Sequence, residues 1–439
     1  MRYKVGVISL GCNKNRVDTE TALGLLKEHG YDFTPEMEKA DLLLVNTCGF
    51  IESAREESIN TILEMAEHKK TGRCRLLIVT GCLAQRYEKE LLAAIPEIDI
   101  LLGVNQYAQL PAIIDQALNG EKISLCQDDH SYFEHERLLT TPFYSAYIRI
   151  GEGCSNHCSF CAIPDIRGPY RSRKKETILQ EMKQLVTKGV REHILVAQDT
   201  TRYGWDLDKN SRLPDLMEKA AQLPGVDWLR VLYCYPDETS IHLLDLIANT
   251  ENICSYLDLP VQHIHPNILK KMRRRGTRED ILRCVNEAKK RNITLRTSLI
   301  VGFPGETDEQ FQDLIDFIQE ARFDRLGVFV YSPEEGTPAA SLPDQIPETV
   351  KQERLDRVMT LQQSISLELN RKRIGSVEKM LVTDVDTTSS MCLGRTEREA
   401  PETDGELYVT YSGKVPEIGS FISVKITGAD IYDLTGERL

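Results

Sequence analysis

At 439 residues the chain is longer than one hydrophobic core usually supports, so two to three domains are expected. With 41% hydrophobic and 28% charged residues it falls outside the disordered and fibrous classes; its start lacks the apolar run of a signal peptide, and no stretch reaches the ~20 apolar residues of a membrane span. The expected compartment is the reducing cytoplasm, where the twelve cysteines stand as free thiols or metal ligands, and a net charge of −13 argues against a nucleic-acid-coating protein.

Residues 1–122 alternate short apolar runs with helical patterns: "YKVGVIS" then "DTETALGLLKEHG", "DLLLVNT" then a helix from Ser53, "CRLLIVTG" then a helix from Gln85, "IDILLG" then "QLPAIIDQAL". Such alternation predicts βαβ units in a doubly wound parallel sheet covered on both faces. Cys12, Cys48 and Cys82 each follow a predicted strand and precede the next helix. The ends of strands line one edge of an open α/β sheet, so three thiols distant in sequence are expected to converge there. Taken singly, each reads equally well as a small buried hydrophobe.

Residues 123–142 lose the periodicity and form a connector. From 143 to 373 the rhythm resumes, with strand candidates "YSAYIRI", "HILVAQ", "WLRVLYC", "SYLDLP", "ITLRTSLIV" and "DRLGVFVY". Six such units are too few for a full eight-stranded barrel, which predicts an open, partial (β/α)6 barrel with its active face at the strand ends. Residues 350–372 form one long helix by pattern, and 374–439 carry short alternating runs broken by glycines, the pattern of a small antiparallel β-barrel. From Ser376 onward six Lys/Arg face twelve Asp/Glu, whereas "RGPYRSRKK" (167–175) and "KKMRRRGTR" (270–278) are basic. An acidic module prefers a basic partner.

The first barrel strand runs into "GEGCSNHCSFCAIPDIRG", with Cys154, Cys158 and Cys161 spaced three and two residues apart. A structural zinc site closes with four protein ligands, and the only local fourth, His157, sits between two of the cysteines. A [4Fe-4S] cubane held by three thiolates keeps one iron open. That iron can chelate S-adenosylmethionine and pass an electron into its sulfonium.

The Cys-x3-Cys-x2-Cys spacing, with Phe160 before the last cysteine, resembles the radical S-adenosylmethionine superfamily. The whole chain resembles its methylthiotransferase branch, with an N-terminal cluster domain, a radical barrel and a C-terminal TRAM barrel. The resemblance implies two [4Fe-4S] clusters, a radical one on Cys154, Cys158 and Cys161 and an auxiliary one on Cys12, Cys48 and Cys82. It also implies cofactor contacts at Phe160, at Gln198 in "VAQDTTRYG", and at Thr297, Ile300 and Gly302 in or beside "SLIVGFPGET", where Gly302 is expected to admit S-adenosylmethionine. "LDLPVQH" resembles a further pocket segment.

Within the branch, "SLGCNKNRVDTE" resembles the RimO-like group, which modifies an aspartate β-carbon of small ribosomal subunit protein S-twelve; MiaB-like enzymes, which modify an adenosine of transfer RNA, usually carry Gln-x-Asn after the first cysteine. Glu334 and Glu335 in "VYSPEEGTPAA" also resemble the ribosomal group. The implied partners are that basic protein, an electron donor such as flavodoxin or ferredoxin, and a sulfur donor, with nucleic-acid contact secondary. The transfer RNA activity stays open as the alternative, and a zinc-stabilised RNA-binding protein as the non-catalytic one. Tyr408, Tyr411, Phe421 and Tyr432 form either a stacking platform or barrel packing. His265 departs from the small residue that the resemblance implies, Arg273 to Arg275 read as a solvated helix end ahead of a substrate contact, and Cys74, Cys126, Cys234, Cys254, Cys284 and Cys392 read as packing residues.

Overall fold

The computed structural model describes residues 3–127, 133–208 and 212–439. Part of the expected connector, 128–132, lies outside the described residues. β1 (Lys4–Ser9), β2 (Asp32–Phe33), β3 (Leu42–Thr47), β4 (Leu76–Gly81), β5 (Ile100–Leu102) and β6 (Ile123–Leu125) form one parallel sheet in the order β2-β1-β3-β4-β5-β6. β3 and β4 are buried along their whole length, as their unbroken apolar runs require of central strands covered on both faces. Two separate cores fill those faces, one around Leu26, Leu44 and Ile114, the other around Ile62, Leu77 and Leu101. β2 and β6 have their apolar residues interrupted by Asp32 and Ser124 and show no apolar run, and β6 occupies the first residues expected to belong to the connector.

The second unit carries β7 (Ser145–Arg149), β8 (Gly151–Glu152), β9 (Arg171–Ser172), β10 (Glu192–Val196), β11 (Trp228–Val231), β12 (Tyr256–Asp258), β13 (Thr294–Val301) and β14 (Arg325–Val330). β7-β10-β11 and β12-β13-β14 are parallel three-stranded sheets, and a parallel bridge between Leu229 and Ile253 splices them into one open six-stranded wall. All six long strands fall on the apolar runs of the sequence. The short antiparallel β8–β9 pair brackets the Cys154–Cys161 loop.

The helix Glu348–Arg371 leads into a closed barrel, β15 (Val377–Asp386), β16 (Met391–Thr396), β17 (Leu407–Thr410), β18 (Phe421–Ala429) and β19 (Leu434–Arg438). Its pairings are antiparallel except β17–β19, which is parallel. This barrel is docked rather than tethered. Trp228 meets Phe421 edge-on at 4.8 Å between ring centroids, and Arg395 donates to the buried Glu192 carboxylate at 2.6 Å while Arg230 donates from within the barrel wall. Burial by itself raises the Glu192 pKa, but the Arg395 and Arg230 guanidinium groups outweigh it and hold the carboxyl at about 2.

Because the folded carboxyl lies below its ordinary value of 4.5, the stability it contributes is complete above that value and is lost as pH falls toward about 2. Acidification through this window is expected to loosen the C-terminal barrel, read as faster backbone amide exchange in β15–β19. In Glu192→Gln that barrel should already exchange fast at neutral pH, with less further change on acidification.

Candidate active site

The radical-type loop is pinned from several sides. Gly153 takes φ 74°, and a Cβ there would lie 2.3 Å from the Pro169 carbonyl oxygen and 2.5 Å from that of Gly168, so only glycine fits. Cys154 N–H donates to Gly168 O at 3.0 Å, Cys161 N–H to Cys158 O at 3.1 Å, and Asn156 N–H to Cys154 Sγ at 3.4 Å. Ser159 ties the loop to the end of the helix Pro266–Lys271 through Met272 O and Lys271 O, at 2.9 and 2.7 Å, and accepts at its own carbonyl from Ala339 N–H at 2.8 Å. The three thiols share one electrostatic neighbourhood; burial pushes Cys154 up to about 11 and Cys161 up to about 12.

Two expectations are corrected here. Arg274 and Arg275 do not end a solvated helix. Arg274 lies over the Tyr235 ring at 4.0 Å and donates to Cys158 Sγ at 3.8 Å, and Arg275 pairs with Asp199 at 3.1 Å; only Arg273 points outward. His265 caps the helix Pro266–Lys271, its Nδ1 accepting from Asn267 N–H at 3.2 Å, which a small apolar residue would not do.

The second triad forms at the edge of the N-terminal sheet. Cys12 precedes the helix Asn13–Glu28, Cys48 follows β3, and Cys82 opens the helix Cys82–Arg86 directly after β4. Gly11, at φ 87°, brings the Cys12 turn so close to Cys48 that a Cβ would stand 2.8 Å from Cys48 Cβ. Cys12 lies within electrostatic reach of both Cys48 and Cys82. Burial pushes Cys82 up to about 12. Cys12 differs: burial raises its pKa, but Lys14 and Arg167 outweigh it and the net shift is downward.

One buried side chain joins the two triads. Arg167, six residues past Cys161, is 1% exposed. It donates to Asn15 Oδ1 at 2.6 Å and Asp18 Oδ2 at 2.9 Å in the N-terminal domain, and to both Glu152 oxygens at 3.0 and 3.1 Å in its own. Arg149 bridges the same carboxylates, at 2.8 Å from Glu152. Asn15 in turn faces Cys82 Sγ at 3.6 Å. Glu334, buried at the end of the barrel wall, accepts from Glu52 N–H at 3.2 Å and lies 3.5 Å from both Arg55 and Arg86. The acidic pair at 334–335 is therefore engaged by the N-terminal domain. Sequence reasoning assigned no role to Asn15, Asp18, Glu152 and Arg167, although Asn15 and Asp18 lie in the stretch "SLGCNKNRVDTE" and Glu152 and Arg167 flank the Cys154–Cys161 loop.

The expected cofactor contacts divide. Phe160 packs with Ile300 in an apolar cluster formed by Ile268, Met272, Phe303 and Tyr331. Gln198 Nε2 donates to Glu152 Oε1 at 3.1 Å, leaving its Oε1 buried without a partner, as is Asn156 Oδ1. Thr297 is spent on the barrel wall, its hydroxyl donating to Leu259 O at 2.8 Å. At Gly302, φ 71°, a Cβ would lie 2.3 Å from Lys351 Cγ, so the glycine admits a lysine side chain.

Among the described residues no three His, Cys, Asp or Glu side chains crowd around a point that one metal ion would fill. Three thiols with no fourth cysteine near them in the sequence, as at Cys154, Cys158 and Cys161, suit a cluster that keeps one iron free. Family models match residues 4–103 (Uncharacterized protein family UPF0004), 148–318 (Radical SAM superfamily) and 374–439 (TRAM domain). The chain is 50% identical over 439 residues to the ribosomal protein uS12 methylthiotransferase RimO of Desulforamulus reducens, covering 99% of each chain, and 48% identical to that of Clostridium acetobutylicum, covering 99% of this chain and 98% of the other.

The chain belongs to the RimO methylthiotransferase family. It is thus a member of a radical S-adenosylmethionine enzyme family. Its fold is shared with the radical S-adenosylmethionine methyltransferase TsrM from Kitasatospora setae, at 15% identity and a TM-score of 0.56, over 88% of this chain and 79% of that one. The cysteines outside the two triads lie elsewhere: Cys74, Cys234, Cys254, Cys284 and Cys392 are buried in apolar cores, and Cys126 donates to Ala84 O at 3.5 Å. No helix among the described residues is long and apolar enough to cross a membrane.

Arg167→Met would leave Asp18 and Glu152 sharing one guanidinium, and a broken buried pair costs about 3–5 kcal/mol. Arg371→Met, at an exposed helix end, should cost under about 0.5 kcal/mol. Urea unfolding of the two variants side by side checks the difference.

Proposed function

We propose that the protein is a radical S-adenosylmethionine methylthiotransferase that adds a methylthio group to the β-carbon of an aspartate of small ribosomal subunit protein uS12. The observation that carries this reading is the pair of three-cysteine sites locked against one another by Arg167, in a chain nearly half identical from end to end to enzymes of that name. Cys154, Cys158 and Cys161 would hold the radical [4Fe-4S] cluster, and Cys12, Cys48 and Cys82 the auxiliary one. When bound, each cluster supplies an open iron, at one site to chelate and reduce S-adenosylmethionine, at the other to present the sulfur that is transferred.

The chain's own groups supply the rest. Ser159, Asn156 and the β8–β9 bracket hold the Cys154–Cys161 loop still, and Arg274 places a cation beside Cys158 that offsets the negative charge of thiolate ligands. The buried, unpartnered oxygens of Asn156 and Gln198 are acceptors available to the cofactor's amino group. Phe160 and Ile300 give a flat heterocycle an apolar wall, and Thr297 and Gly302 shape the strand behind it. Division of labour follows the chain: 1–122 for the auxiliary cluster, 123–142 as connector, 143–373 for radical generation and 374–439 as the TRAM module. The acidic TRAM barrel suits a basic ribosomal protein better than RNA, and its Phe421 is occupied against Trp228. The electron donor, of flavodoxin or ferredoxin type, and the sulfur donor would be separate cytoplasmic partners.

The test is made on anaerobically reconstituted protein. The intact chain should bind about eight irons and the Cys12, Cys48, Cys82 triple-Ala variant about four, counted by Mössbauer spectroscopy. Cys158→Ala should give no detectable methylthiolated uS12 peptide by mass spectrometry. Methylthio-adenosine formed in transfer RNA, with uS12 unmodified, would overturn the substrate.

A further inference from the structure

The seam between the two triads is crowded with cations, and nearly every one is answered by a carboxylate. Arg149 and Arg167 share Asp18 and Glu152, and Arg16 reaches Glu402 in the C-terminal barrel. Two cations differ among the described residues: Arg274, which meets the Tyr235 ring and Cys158 Sγ, and Lys14. Lys14 stands two residues past Cys12, its side chain is turned inward, and the residue is 8% exposed. Its ammonium lies 3.4 Å from the centroid of the Tyr233 ring, and among the described residues no carboxylate is within ion-pairing distance of it. An aromatic face returns only part of what a buried ammonium loses on leaving water. The Lys14 ammonium thus lies within electrostatic reach of the Cys12 sulfur and against the Tyr233 side chain, and among the described residues no carboxylate pairs with it.

Its position is specific. Tyr233 follows β11 at φ 63°, a left-handed conformation that a bulky residue adopts only when its surroundings impose it. The Tyr233 N–H donates to the buried Asp258 Oδ2 at 2.9 Å, which fixes the turn. Two residues later, the Tyr235 ring carries Arg274, and Arg274 reaches Cys158 Sγ at 3.8 Å. The path from Cys12 through Lys14, Tyr233, Tyr235 and Arg274 to Cys158 thus crosses from one triad to the other, with the Lys14 ammonium on the way.

We propose that Lys14 anchors the side-chain carboxylate of the substrate aspartate, with the Tyr233 ring as the wall against which its ammonium is aimed. The inference rests on the uS12 reading given above. The β-carbon of aspartate is one bond from that carboxylate, so gripping the carboxylate at Lys14 holds the carbon in the seam that both cysteine sites face. An adenosine base carries no anion at the equivalent distance from its reacting carbon, so the same residue selects aspartate over adenosine. Lys14 is on this account a substrate-positioning residue; it takes no part in cleaving the cofactor.

The experiment compares two synthetic peptides, one spanning the modified aspartate of uS12 and its aspartate-to-asparagine analogue, binding to the anaerobically reconstituted full chain in the presence of S-adenosylmethionine. Fluorescence anisotropy reads affinity, and iron content and the thermal midpoint confirm that each variant is intact. The unmodified chain should prefer the aspartate peptide. Lys14→Met should weaken that peptide about 10- to 100-fold, the range for a lost hydrogen bond to a charged group, and change the asparagine peptide less than about two-fold. Lys14→Arg, which keeps the charge, should retain the preference. Equal weakening of both peptides in Lys14→Met, loss of the preference in Lys14→Arg, or undiminished aspartate binding in Lys14→Met would each overturn the assignment of Lys14 while leaving the uS12 reading in place. Weakened binding of an adenosine-bearing RNA hairpin, with the peptides unaffected, would assign Lys14 to a phosphate instead and overturn it. Failure of the unmodified chain to bind or methylthiolate the aspartate peptide overturns the uS12 reading, and the assignment of Lys14 falls with it.

Discussion

The guanidinium of Arg167 is the constraint on which the rest of the site depends. It leaves the radical barrel on the short helix Ile163–Arg167 and ends among residues of the other domain, between Asn15 and Asp18, with Glu152 of its own domain on the opposite side. Taking such a group out of water is costly, so the network is weak evidence for net stability but strong evidence for registry. A planar donor fork with partners in two domains allows one relative placement of those domains. That placement sets the Cys12, Cys48 and Cys82 edge of the sheet against the loop of Cys154, Cys158 and Cys161.

The same logic recurs at each seam. Arg137, in the segment between the two domains, donates to Glu20 at 2.6 Å and to Glu181 at 2.9 Å, tying the helix Asn13–Glu28 to the barrel. Burial raises the Glu181 pKa, but Arg137 and Arg173 outweigh it and hold the carboxyl at about 2. Gly24 lets the connector approach that helix: a Cβ there would fall 1.9 Å from the Glu136 carbonyl oxygen. Glu399 of the C-terminal barrel takes Arg325 at 3.0 Å and Arg373 at 2.5 Å. Charge counts along the sequence therefore misstate the surface. The stretch "RGPYRSRKK" looks like a basic patch, yet Arg167 and Arg173 are buried in ion pairs and present no charge to a partner.

Much of the architecture was legible because it rests on local periodicity. Continuous apolar runs marked β1, β3, β4 and β5 and all six long barrel strands, since a strand buried on both faces must be apolar throughout. β2 and β6 escaped because polar Asp32 and Ser124 interrupt their few apolar residues, leaving no run to read. The helix expected from Gln85 begins instead at Cys82 and breaks at Tyr87, because Cys82 itself opens the turn after Gly81. His265 and Gly302 were marked as special by the resemblance; the structure adds that His265 caps its own helix and that Gly302 lets Lys351 pass, the latter a contact between segments that no local pattern encodes.

The sequence by itself determined the chemistry that is available. Three thiols at Cys154, Cys158 and Cys161 are brought together by spacing alone, because a loop of eight residues cannot carry them far apart, and strand-then-cysteine placement was enough to put Cys12, Cys48 and Cys82 on one sheet edge. Only the tertiary structure decided how the two sites meet. Asn15, Asp18 and Lys14 lie within the "SLGCNKNRVDTE" stretch, but the stretch does not say what they meet, and their significance is one of partners: Arg167 finds Asp18 across 149 residues, and Lys14 finds the Tyr233 ring and, among the described residues, no carboxylate. Whether a buried charge is answered or left open is a property of what packs around it, and the composition of a single segment does not contain that information.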